Sequence, residues 1–134
     1  MATRGRIGIL LDDGTIRSVY SHWDNYPDGN GKILTEKFDT QKKVEDLIDG
    51  GDISCLETDS DWGGNRRDEV FTLFYKDRGD IDCGALVSES TSDFFTLTRN
   101  CDGEYAYLFD PNTASWSCFD MSSAVQIPIP TGYK

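Results

Sequence analysis

Between Tyr20 and Gly31 the chain reads Tyr20-Ser21-His22-Trp23-Asp24-Asn25-Tyr26-Pro27-Asp28-Gly29-Asn30-Gly31, a run of turn formers crowded with rings. Aromatic faces stack on a nucleobase, while guanidinium groups and free backbone N–H groups hold phosphate. Tyr20, His22, Trp23 and Tyr26, with Arg4, Arg6, Lys32 and Arg78 as the basic groups able to approach them, therefore form the candidate site for a small anionic ligand such as a nucleotide. Nothing in that set requires turnover. The same rings admit a plainer reading, in which Trp23 and Tyr26 pin a surface loop onto a sheet.

Other chemistries find less support. Glu57, Asp59 and Asp61 ahead of Gly63-Gly64 suggest a calcium loop, but counting from Asp59 places Val70 where the bidentate Glu belongs. Gly29-Asn30-Gly31-Lys32 lacks the first glycine of a phosphate loop and is followed by Ile33 instead of Ser or Thr. His22 is the single histidine, so a zinc site has little to draw on, and no nucleophile-elbow pattern accompanies it. Neither a metal nor a cofactor is expected, and the chain is read as a non-enzyme.

The elements that must position these residues can be read from composition and pattern. A chain of 134 residues with 37% apolar content suits one domain spanning 1–134. The formal charge of −11 argues against polymeric nucleic acid as a partner. The charge is lopsided: Glu45 to Asp61 holds seven acids and no base, while the first 43 residues are nearly neutral, with seven bases against six acids. A local donor cluster there can still hold an anion. No apolar run is long enough to span a membrane and the start lacks a signal-peptide core, so no membrane partner is expected. Cys55, Cys83, Cys101 and Cys118 lie far apart without a C-x-x-C pair, as expected of reduced structural thiols in a cytoplasmic protein.

Ile7, Ile9 and Leu11 alternate before Asp12-Asp13-Gly14, and Thr15 to Tyr20 continues in β-compatible residues, which predicts a hairpin. Lys32 to Phe38 is expected as a short helix. A second follows, capped at Asp39-Thr40, carrying Val44, Leu47 and Ile48 on one face and stopped by Gly50-Gly51. Val70 to Tyr75 reads as a buried strand before the Asp77-Arg78-Gly79-Asp80 turn; residues 84 to 100 are ambiguous. Glu104 to Asp110 and Ala114 to Phe119 make a second hairpin, and the tail 122–134 reads as extended. The expected fold class is α+β: a mainly antiparallel sheet of about five strands with two or three short helices packed on one face.

Thr3-Arg4-Gly5-Arg6-Ile7-Gly8-Ile9, Tyr20-Ser21-His22-Trp23-Asp24-Asn25-Tyr26-Pro27, Gly31-Lys32-Ile33-Leu34 and Phe74-Tyr75-Lys76-Asp77-Arg78-Gly79 together resemble a widespread family of small, mostly uncharacterised proteins of tailed bacteriophages. That family carries a T-R-S-x-I opening, a Y-x-H-W-D-G-Y segment and an R-D-R-G turn. The resemblance spans roughly the first 80 residues. Gly5, Asn25 and Lys76 depart from its pattern, so no role of a serine hydroxyl or bare glycine at the first two positions carries over. The resemblance implies an accessory protein acting in the cytoplasm of an infected bacterium. By analogy with other small phage proteins, the expected role is a sponge that sequesters an anionic host signal, most plausibly a cyclic nucleotide, as a homo-oligomer with shared pockets. The alternative is an acidic interaction protein that inhibits a basic host enzyme, with imitation of nucleic-acid charge as one route to it.

Overall fold

Alternation makes the strand β1 (Gly5–Leu10) two-faced, and the Asp12-Asp13-Gly14 turn folds it back on β2 (Ile16–Ser21) in antiparallel register from Gly5↔Ser21 to Leu10↔Ile16. Asp13 holds that turn by accepting from the Thr15 hydroxyl at 2.6 Å and its N–H at 3.0 Å. The computed structural model describes residues 3–56, 72–79 and 83–129 of the chain. The supposed calcium loop and most of the acidic stretch beyond Leu56 lie outside the described residues, as do the Arg78 side chain and the end of the tail.

After the ring-rich loop come a π-helical turn at Pro27–Gly31, α1 (Lys32–Lys37) and α2 (Gln41–Asp49). Thr40 caps α2 by accepting from the Lys43 N–H, and Val44, Leu47 and Ile48 form its buried face, as their spacing predicts. Short strands β3 (Ile53–Cys55), β4 (Leu73–Phe74) and β5 (Leu86–Ser88) precede α3 (Thr91–Asn100), which Ser90 caps through the Asp93 N–H. The chain then forms the hairpin β6 (Tyr105–Asp110) and β7 (Ser115–Asp120) and adds β8 (Val125–Ile127) within the predicted tail.

These strands form one sheet in the order β4-β3-β2-β1-β6-β7-β8, with β5 also on β2. The α+β class holds. The sheet, however, is mixed instead of mainly antiparallel: β6 runs parallel to β1 from Gly5↔Tyr105 to Ile9↔Phe109, and β3 runs parallel to β2. It also has more than the five expected strands, eight among the described residues.

Helices cover both faces, not one. Ile7, Ile9, Tyr107 and Phe109 point to one side and pack with Leu34, Val44, Leu47 and Ile48 of α1 and α2. Ile16, Ala106, Leu108 and Phe119 point to the other side and pack on Phe94 and Phe95 of α3. The ambiguous span 84–100 is thus β5 plus the helix that closes the second layer. No helix among the described residues is long and apolar enough to cross a membrane.

Candidate functional site

The outer edge of β2 organises the site. β5 pairs with Ile16 to Ser18 and β3 pairs at Ser21, which leaves the Tyr20 N–H in the gap between them. A backbone donor there needs a partner, and the Asp52 carboxylate accepts from it at 2.9 Å. The Asp52 backbone extends the joint, its N–H donating to Cys83 at 2.6 Å and its carbonyl accepting from Tyr75 at 3.1 Å. Burial raises the Asp52 carboxyl above its ordinary range, against the opposing pull of the Tyr20 N–H and Arg6. Its position carries the turn Tyr75–Arg78 up beside β2, and the Tyr75 ring stacks on Tyr20 at 6.4 Å and 22°.

On this frame Tyr20, His22 and Trp23 form a continuous row. The Tyr20 hydroxyl lies 2.6 Å from His22 Nδ1, and the His22 ring meets Trp23 edge to face at 4.7 Å and 87°. His22 and Trp23 are held through their backbone N–H groups, which donate to Ile53 and Ser54. The Arg4 guanidinium lies near enough to Tyr20 and His22 to act electrostatically on both. Burial, then Arg4, lowers His22 below the usual histidine value, and burial raises Tyr20. At neutral pH the row therefore presents a neutral imidazole and a protonated phenol.

The loop that bears Trp23 is anchored by amides, not by its rings. Asn25 Nδ2 donates to the carbonyls of Thr3 and Ser21, each at 2.9 Å, and Asn30 Nδ2 donates to the Trp23 carbonyl at 2.8 Å and to Asn25 Oδ1 at 3.0 Å. The buried Tyr107 hydroxyl donates to the Asn25 carbonyl at 2.7 Å. Trp23 and Tyr26 are left 40% and 42% exposed. Neither ring is enclosed by the loop that carries it.

The eight sequence candidates separate accordingly. Arg4, Tyr20, His22 and Trp23 come together. Tyr26 is exposed on the same loop but makes no ring contact with the row. Lys32 begins α1 and faces Asp28 at 3.9 Å. The Arg78 side chain is outside the described residues. Arg6 is internal: 4% exposed, it donates from Nε to Ser18 Oγ and from Nη2 to the Ser18 carbonyl, both at 2.9 Å. Cys101, at the end of α3, and Asp52 flank its guanidinium, and burial lowers its pKa. A guanidinium so enclosed, with Nε and Nη2 both spent on Ser18, braces the sheet.

Tyr75, Asp52, Asn25 and Asn30 enter the site without having been singled out by sequence. Only the two asparagines gave a signal, as turn-forming amides within a ring-rich loop. Burial pushes Cys118 up to about 11, which keeps it protonated and unreactive at neutral pH.

An open groove of about 480 Å³ runs past the end of α3, lined by Arg99, Asp102, Glu104, Tyr105, Asp120 and Ser122 among others. Three carboxylates against one guanidinium give it the wrong sign for an anion, and none of Tyr20, His22 or Trp23 lines it. With Trp23 exposed, the row forms an open shelf.

Fold and site together define an α+β protein built on a mixed sheet, with an aromatic shelf at the outer edge of β2 and, among the described residues, Arg4 near it. No protein-family model, curated protein or solved structure matches the chain.

Proposed function

We propose that the protein binds a small anionic ligand with a planar aromatic part, of the cyclic-nucleotide class, and acts by sequestering it without turnover. The observation that carries this reading is the exposure of Trp23 on a loop already anchored by Asn25, Asn30 and Tyr107. Packing does not require that ring to stay in place, whereas stacking on a base does. Arg4 supplies positive charge beside it, and His22 and Tyr20 supply polar groups at the ligand's edge.

A shelf buries only one side of a ligand, and tight binding needs most of its surface covered. A second copy of the chain closing over the first would supply the cover and make the pocket shared. The resemblance to small phage proteins gives the setting, a bacterial cytoplasm in which such a signal is a host alarm.

The test is to denature purified protein by heat and analyse what is released, together with thermal shifts against mono-, di- and cyclic nucleotides. A ligand at one hundred times its dissociation constant adds about 2.7 kcal/mol of stability. Trp23→Ala should weaken binding about fivefold to a hundredfold while the protein stays folded, since base stacking on an aromatic ring contributes about 1–3 kcal/mol. If no nucleotide is released and none raises the melting temperature, the proposal fails. Binding that collapses steeply with salt and survives Trp23→Ala would instead favour charge-led protein docking.

A further inference from the structure

Leu86 and Val87 of β5 are 50% and 61% exposed, although neighbours along a strand point to opposite faces of a sheet. The register shows why both are open. Leu86 lies opposite Ser18, on the side that α3 covers through Ile16, and Val87 lies opposite Arg17, whose guanidinium reaches Asp49 of α2. Both helical layers therefore end short of this margin. The backbone is open too: among the described residues Leu86 to Ser88 pair with β2 and with no other element, so their outer N–H and C=O groups are unmatched. Sheets guard free edges with charge, proline, bulges or a covering element. β5 is in regular register and carries neither charge nor proline from Gly84 to Ser88.

Acids gather at one end of this edge. Ser88 pairs with Ile16, so the Asp12-Asp13-Gly14 turn before β2 and Glu89 after β5 meet at the same end of the pairing, with Asp93 in the first turn of α3. All four carboxylates are on exposed residues. The base opposite the strand, Arg17, is held by Asp49 at 2.6 Å. Two copies of the chain meeting here would bring like charge against like charge, at −11 each.

We propose that β5 is a docking edge for a partner protein, which supplies an extended segment of alternating apolar side chains with Lys or Arg at the end beside Ser88. The segment adds a strand to the sheet. Its backbone pairs with the outer side of β5, its apolar side chains meet Leu86 on one face and Val87 on the other, and its cations meet Asp12, Asp13, Glu89 and Asp93. Docking here does not need a ligand on the aromatic shelf.

Three synthetic peptides, followed by fluorescence anisotropy, provide the test. The first alternates valine and threonine over five residues with two lysines at each end; the second has glutamates in place of the lysines; the third is the lysine peptide with two adjacent prolines in its core. Successive N–H groups of a strand point to opposite edges, so one of the two prolines always removes a donor that would face β5. The lysine peptide should bind, and at low salt about tenfold or more tightly than the glutamate peptide, with the ratio shrinking as ionic strength rises. The prolines should weaken it about threefold or more. In ¹⁵N–¹H spectra the shifted amides should centre on Ala85 to Glu89. Val87→Asp adds a charge that attracts lysine but spoils the apolar edge, and should weaken binding about fivefold or more while circular dichroism shows the fold retained.

Unchanged or tighter binding to Val87→Asp, or equal binding of the proline peptide, means attachment by charge without strand addition and overturns the proposal. So do equal binding of the lysine and glutamate peptides, and binding that leaves the amides of Ala85 to Glu89 unshifted. Self-association in light scattering that Val87→Asp abolishes makes the occupant a second copy and overturns it as well. If no peptide binds, the docking edge falls, while sequestration is still judged by the nucleotide titrations alone.

Discussion

Arg4 and Arg6 look alike in the sequence, two residues apart ahead of the same apolar alternation, but the fold gives them opposite duties. Replacing Arg6 with Met keeps length and apolar bulk and removes the charge. The two hydrogen bonds to Ser18 are lost, each about 1.5–3 kcal/mol for a charged donor. Burying a methionine side chain returns about 1–3 kcal/mol. The net loss expected for Arg6→Met is about 2–4 kcal/mol, or a melting temperature lower by about 10 °C for a domain of this size. Arg4→Met, at a part-exposed position, should change stability by less than about 0.5 kcal/mol and act on ligand affinity instead. Urea unfolding followed by far-ultraviolet circular dichroism, with nucleotide titration of both variants, separates the two roles. If Arg6→Met keeps the wild-type midpoint and loses nucleotide binding, the assignment of Arg6 to the scaffold is wrong.

Other outcomes follow from particular residues. Gly51 has a φ of +85° and a Cβ there would stand 2.5 Å from the Cys83 carbonyl oxygen, so Gly51→Ala should cost about 2–4 kcal/mol, seen as a lower urea midpoint; an unchanged midpoint would refute the close approach. His22 should titrate below 6.5 in the folded protein. Because its folded pKa is depressed, the stability it contributes is complete above 6.5 and is lost as pH falls through the lowered folded value. Arg4→Gln should move the midpoint of its imidazole NMR signal upward without restoring 6.5, since burial is the larger cause, and a wild-type midpoint at or above 6.5 would contradict the geometry. Thr40→Ala removes the cap of α2 and should cost about 1 kcal/mol, measured by the same unfolding assay.

What the sequence made legible was local. The helix α2 announced itself through Thr40, the Val44, Leu47 and Ile48 stripe, and Gly50-Gly51. Both hairpins were readable from alternation around Asp-Gly and Pro-Asn turns. The helix α3 was not, because Phe94, Phe95, Thr96 and Thr98 belong to types that favour strands, and tertiary burial of Phe94 overrides that preference. The cap at Ser90 was the available clue.

That one ambiguity propagated into the site. With helices expected on one face only, nothing in the sequence pointed to an element that would enclose Arg6. Once α3 lies over the second face, its end at Cys101 encloses Arg6. The stacking of Tyr75 on Tyr20 and the bridge through Asp52 were invisible for a different reason: they join residues more than thirty positions apart, beyond any periodic signal.

The parallel seam between β1 and β6 determines how this chain can be cut. It joins the two halves of the sheet through residues a hundred positions apart, so any fragment stopping short of Tyr105 exposes the whole inner margin of β1 as an unpaired ladder. Bare β-ladders recruit strands from other molecules. Truncations made to isolate the shelf should accordingly clump, and recombining them with a separately supplied β6–β7 hairpin is the route by which the N-terminal part would become soluble again.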